Sequence, residues 1–203
     1  NGYGNTSADW TDQTGSNNGT VAGSPALFTG QGFDGFVKTW YDQSVTNEAG
    51  DTATGNHATQ ATAASQPKIV SAGSLLADGI DFDGTDDIGL VTGSFSLTQT
   101  FSTFSVSHSD DASTSQGIWS TAASATDNFN VVQFFRSDDG FAVNAGNTLT
   151  TAGTINYVAD RNYLQTNVVS GGSSSIFVDG ATGATGNMGS TNPSGVLILG
   201  YFR

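Results

Sequence analysis

The sequence predicts an all-β chain folded as a two-sheet antiparallel jelly-roll sandwich. Runs of β-branched and aromatic residues recur at short intervals between Gly, Asp, Asn and Ser clusters, which is how short strands and their turns read. The composition holds 27 Gly and little that favours long helices, and 203 residues is a length such a sandwich often fills as one unit.

Residues 1–32 are rich in Gly, Asn, Thr and Ser, with Tyr3, Trp10, Val21, Leu27 and Phe28 as bulky groups. They are expected to run as an extended polar arm, with the sandwich over 33–203. Strands are expected at 36–41, 68–70, 79–82, 88–91, 101–108, 117–120, 129–135, 141–144, 154–158, 163–169, 174–178 and 196–202. Phe104-Ser-Val-Ser-His108 alternates as a half-buried strand does. Asp138-Asp-Gly140 and Asp179-Gly180 read as hairpin turns, because Gly supplies the positive φ those turns need. Alternation predicts inner faces carrying Val37 or Phe36, Ile80 or Phe82, Phe104, Val106, Phe134, Leu164, Val168, Phe177 and Leu197.

One segment is more specific. Gly35-Phe-Val-Lys-Thr-Trp-Tyr-Asp-Gln-Ser44 leads, after a polar insert at 45–54, into Gly55-Asn-His57 and an arm ending Gln66-Pro-Lys-Ile-Val70. With Ile80-Asp-Phe-Asp-Gly-Thr-Asp-Asp87 and Ile176-Phe-Val-Asp-Gly180, it resembles the concanavalin A-like (laminin G-like) domain of the arabinofuranosidase B type. The match extends to that type's non-enzymatic relatives in phage structural and bacterial surface proteins, and the insert departs from the family pattern. The resemblance covers residues 33–203 and is specific for fold more than for activity. It implies a further strand after 196–202, so the sandwich is expected to lack its last strand, being a fragment or completed by a neighbouring chain.

The resemblance implies a non-enzymatic module acting outside the cell or on a virion surface, with a structural and glycan-binding or adhesion role. A purely architectural capsid decoration or fibre subunit, and an Asp-based or degenerate arabinofuranosidase-like hydrolase, are the alternatives. Glycosidases need two carboxyl groups across the scissile bond. Glu48 is the chain's single Glu and matches no family nucleophile, which leaves Asp42, Asp83 and Asp127 as candidates for an Asp pair, with turn capping the favoured reading.

Charge excludes other classes. Five Lys+Arg against 18 Asp+Glu give a net charge of −13, the wrong sign for phosphate neutralisation, so nucleic acid and anionic membranes are improbable partners. No stretch approaches the roughly 20 apolar residues of a membrane span, and the absence of Cys excludes a disulfide framework. Asn5 and Asn18 begin glycosylation sequons by rule.

Gly30-Gln-Gly-Phe-Asp-Gly35 matches a dinucleotide-binding pattern, but strand formers follow it where that motif needs a helix. His57 and His108, without Cys, do not make a structural zinc site, and His108-Ser-Asp-Asp111 is adjacency and not triad geometry. The acidic run places Asp81, Asp83, Asp86 and Asp87 as oxygen ligands for calcium, against a plain turn between strands. The glycan-contacting residues are expected to be Asp42, Asn47, Asn56 and His57 of the enlarged loop, with Trp10 and Trp119 as exposed rings and Trp40 as core. The partner is a neutral glycan or a neighbouring subunit, with homo-oligomer or particle assembly.

Overall fold

The computed structural model describes residues 32–42, 56–85, 87, 89–111, 113–125 and 128–200. The expected arm, Trp10, Asn47, Glu48, Asp86, Asp127 and both sequons lie outside the described residues. The strands are β1 (Gly35–Phe36), β2 (Thr39–Trp40), β3 (Ala58–Thr59), β4 (Lys68–Ser71), β5 (Ser74–Leu75), β6 (Leu90–Ser96), β7 (Phe101–Ser107), β8 (Gln116–Ala122), β9 (Phe129–Phe135), β10 (Phe141–Asn144), β11 (Thr148–Thr150), β12 (Tyr163–Val169), β13 (Ser174–Val178), β14 (Ala181–Gly186) and β15 (Ser194–Leu199). Helical structure among the described residues is two 3₁₀ turns, Ala63–Ser65 and Gly171–Ser173. No helix there is long and apolar enough to cross a membrane.

Every strand pairing is antiparallel. One sheet runs β11-β10-β9-β8-β15-β6-β3-β2, a second runs β14-β13-β12-β7, and a small third runs β1-β4-β5. Trp119, Val131, Phe135, Phe141 and Val143 of the large sheet share one core with Tyr163, Val169, Ile176 and Val178 of the four-stranded sheet. Ring contacts tie it together, with Phe135 and Phe141 centroids 5.5 Å apart and Phe141 and Tyr163 5.0 Å apart.

The turns follow their residues. Asp179 and Gly180 take φ of 51° and 83°, the two positive values of a type I′ hairpin, and join β13 to β14. Asp139 takes φ 62° in the β9–β10 turn, where Arg136 and Asp138 pair twice at 2.8 Å. The candidates at 79–82 and 154–158 reduce to isolated bridges at Asp81 and Asn156. The Gly-containing β14, absent from the expectation, pairs with β13 along its length except at Gly183, where the register shifts.

One expectation is met in part and another is corrected. The run expected at 196–202 forms β15, which lies between β8 and β6 inside the large sheet. The face assignment of β7, β9, β12 and β13 is inverted: Phe134, Val168 and Phe177, expected inside, alternate with the buried Phe135, Val169, Ile176 and Val178 that form the core. Phe104, Val106 and Leu164 point outward at 74%, 71% and 45% exposure, while Tyr163, Gln165, Asn167 and Val169 are buried. Alternation fixes which residues share a face and leaves open which face is covered. The bulk of Tyr163 and Val169 against the core fixes β12, and the β12–β7 register then places Thr103, Ser105 and Ser107 inward.

Candidate functional site

The resembling segment and the acidic run converge on one cavity. Phe36 of β1 pairs with Lys68 of β4, and Lys68 exchanges two backbone hydrogen bonds with Asp81, at 3.0 and 2.8 Å. These pairings bring the acidic turn against the arm. The resulting pocket has a volume of about 380 Å³ and is lined by Phe36, Ala63, Ala64, Gln66, Lys68, Asp81, Asp83 and Asp87. Phe36, expected as a core alternative to Val37, is half exposed there. An aromatic residue, three Asp and a Lys in one lining are the residue types that a polyol takes.

Local chemistry fixes each group. Asp83 Oδ1 accepts the Thr85 amide at 2.8 Å, an Asx-type turn, and Asp87 Oδ2 accepts the Asp83 amide at 2.9 Å. Gln66 Nε2 donates to the Gln60 carbonyl at 2.9 Å, which holds the 3₁₀ turn over the pocket. Lys68 Nζ lies 2.9 Å from Asp34 Oδ2. The Ala72 amide, and after it Lys68, hold the Asp34 carboxyl below its ordinary range. The hydrogen bond to Asp34, with the charges of Asp34, Asp81 and Asp83, holds the Lys68 ammonium above its own.

Of the four acidic residues expected as calcium ligands, three are brought to one place. Asp81, Asp83 and Asp87 share the pocket, Asp86 lies outside the described residues, and the Asp83 and Asp87 oxygens named above close the turn itself. Among the described residues, the group whose ligand atoms all fall within 4.8 Å is His108, Asp110 and Asp160. Sequence reading saw His108 and Asp110 as neighbours and had no signal for Asp160, which the chain brings in from a distant turn.

The glycan residues expected around the enlarged loop fall into two groups. Asp42, Asn56 and His57 meet: the Asp42 amide donates to His57 Nδ1 at 3.0 Å, and the Asn56 amide donates to Asp42 Oδ2 at 3.0 Å. Because Nδ1 accepts, the His57 proton sits on Nε2, a buried atom with no hydrogen-bond partner among the described residues. Tyr41 packs edge-on against the imidazole, centroids 5.0 Å apart. Trp119 corrects the other expectation. It is 9% exposed, its indole N–H bonded to Gln133 inside the sandwich, so it offers no face to a sugar. The assignments of the tryptophans are in fact reversed, since Trp40, expected as core, is 48% exposed beside Tyr41 at 53%. Among the described residues the two-residue β2 ends the large sheet.

No family model matches the sequence, and no curated protein matches it. Among solved structures the chain is similar to a Trypanosoma rangeli sialidase, at 12% identity over 68% of this chain and 24% of that chain, with a TM-score of 0.42. An alginate lyase of polysaccharide lyase family 7 aligns at 13% identity over 68% of this chain and 56% of that chain, with a TM-score of 0.34. A Caenorhabditis elegans galectin aligns at 14% identity over 53% of this chain and 94% of that chain, with a TM-score of 0.28. The chain therefore spans about a quarter of the sialidase and just over half of the lyase. The sialidase and the lyase are enzymes, and the expectation of a non-enzymatic module is corrected on that finding.

Proposed function

We propose that this chain is a carbohydrate-binding β-sandwich whose site is the pocket between Phe36 and the acidic turn. The observation that supports it is the combination in one cavity of a half-exposed ring, an ammonium and three carboxylates. Phe36 stacks on a sugar face, the carboxylates accept its hydroxyl protons, and Lys68 donates to ring or hydroxyl oxygen. The lining carries three Asp against one Lys, in a chain of net charge −13, so the favoured ligand is a neutral glycan and not a uronate or a sialic acid. Trp40 and Tyr41, exposed further along the same stretch of chain, extend the aromatic surface.

A hydrolase reading rests on the same cavity, because three carboxylates there supply the residue type that glycoside cleavage needs. One experiment reads both. Neutral oligosaccharides, arabinan-derived ones included, are titrated by NMR into the protein, and the ligand signals are followed for cleavage. Binding that weakens up to about tenfold in Phe36→Ala, with the melting temperature unchanged, is the expected result. Cleavage lost in Asp81→Asn or Asp83→Asn would establish the hydrolase. Shifts confined to other surfaces, or affinity unchanged in Phe36→Ala, would remove the site.

A further inference from the structure

We propose that His108, Asp110 and Asp160 form a binding site for a divalent first-row transition ion, with zinc as its type. His108 and Asp110 follow the end of β7, and Asp160 lies in the turn before β12. One ligand atom from each residue lies within 4.8 Å of the other two. An ion held at about 2.0–2.2 Å by imidazole nitrogen and carboxylate oxygen sets neighbouring ligand atoms roughly 3–3.6 Å apart and opposite ones up to about 4.4 Å apart. His108 Nε2 and Asp110 Oδ1, at 3.3 Å, already stand at the neighbouring spacing. Both Asp side chains are exposed, so rotation about their own bonds closes any remaining distance.

The backbone brings the three together. Ser109 is buried and its hydroxyl donates to the Asp111 carbonyl at 2.7 Å, while His108 and Asp110 on either side of it reach each other. The Asp160 amide donates to the Ser109 carbonyl at 3.0 Å, which seats the distant turn against this pair. A count of His and Cys along the sequence misses such a site, because two of its ligands are Asp and one of those arrives only through the fold.

Charge and donor type identify the occupant. Two carboxylates are gathered here, and among the described residues the ion pairs of Lys68, Arg136 and Arg161 are made with Asp34, Asp138 and Asp179. Arg161, next to Asp160 in sequence, sits over the Tyr163 ring with its guanidinium 2.8 Å from Asp179, so its charge is committed elsewhere. A protonated His108 would balance one carboxylate and leave the other, whereas a divalent ion on the neutral imidazole balances both. The nitrogen ligand separates this trio from the chain's acidic turns: imidazole suits zinc and its first-row neighbours, while calcium takes about six to eight oxygens. Three protein ligands leave the remaining coordination to water.

The test is calorimetric titration of zinc chloride, and separately of calcium chloride, into the chelator-treated full chain, with the two imidazoles followed by NMR. Saturable zinc binding is expected, with the His108 ring signals shifting and those of His57 unmoved. His108→Ala and Asp160→Asn should each weaken zinc at least about tenfold, and calcium should bind the unaltered chain at least about tenfold more weakly than zinc. Asn tolerates the left-handed backbone of Asp160, φ 61°, so that variant removes the charge without adding strain. Should a variant fail to fold, the ring signals of the unaltered chain decide alone. No zinc binding, binding indifferent to both variants, shifts confined to His57, or calcium bound as tightly as zinc would each overturn the proposal. Zinc lost in Asp83→Asn but kept in His108→Ala would place the ion in the pocket instead and overturn it as well.

Discussion

Asn167 of β12 donates from Nδ2 to Gln133 Oε1 of β9 at 2.9 Å, joining the two sheets through the middle of the sandwich. Both residues are fully buried. Trp119 Nε1 donates to the same Gln133 oxygen, Gln133 Nε2 donates to Ser105 Oγ at 2.6 Å, and Asn167 Nδ2 also donates to Thr103 Oγ1 at 2.9 Å. A polar seam thus runs where an aliphatic interior was expected. Such a network adds specificity when each member is satisfied and is costly to interrupt.

Replacing two members should therefore cost less than the two single replacements added together. Gln133→Leu and Asn167→Leu are each expected to lower stability by roughly 1–3 kcal/mol, since each leaves partners unbonded in the interior. The double variant should lose clearly less than the sum, which urea unfolding of the four proteins measures as a coupling.

Two glycines with similar φ separate strain from space. Gly153 has φ 77° and open surroundings, so Gly153→Ala should cost about 1 kcal/mol for the left-handed backbone alone. At Gly195, φ 85°, an added Cβ would run into the Ala122 carbonyl and the Ala123 Cα. Gly195→Ala should cost at least about 2 kcal/mol, because the end of β8 must shift. Equal thermal shifts for the two would contradict the account.

The acid limb of stability should respond to Asp111. The Ser113 hydroxyl, then the Ser113 amide and the Thr114 hydroxyl, hold its carboxyl below the ordinary value of 3.8. A depressed folded value means that the stabilisation is complete above 3.8 and is lost as pH falls through the lowered value. Asp111→Asn should flatten the fall in urea midpoint below pH 3.8 while leaving the slope at pH 8 unchanged.

Tyr157 should govern part of the alkaline limb. Burial, and after it the charges of Asp139, Asp111 and Asp138, push its phenol above the ordinary value of 10.0, and its hydroxyl donates to the Arg136 carbonyl at 3.1 Å. With the folded value raised, the stabilisation is complete below pH 10.0 and is lost as pH rises above it. Tyr157→Phe should lose about 1 kcal/mol at neutral pH and show a shallower decline above pH 10.0, measured by the same urea titration.

The sequence alone determined the β class, the strands at 129–135, 141–144, 163–169 and 174–178, and the hairpin turns at 138–140 and 179–180, although in the first of these the positive φ falls on Asp139 and not on the Gly. These are local properties: β-branched and aromatic runs favour extended backbone, and Asp and Gly tolerate positive φ wherever they stand. The tertiary structure decided which face of β7 and β12 is covered, that Trp119 is interior and Trp40 exposed, and that Phe36, Lys68 and Asp81 meet at one pocket. Each depends on register between strands far apart in the chain. Alternation has two solutions of equal local quality, and the choice between them falls to the partner strand that supplies the bulk, here Tyr163 and Val169 against the aromatic core.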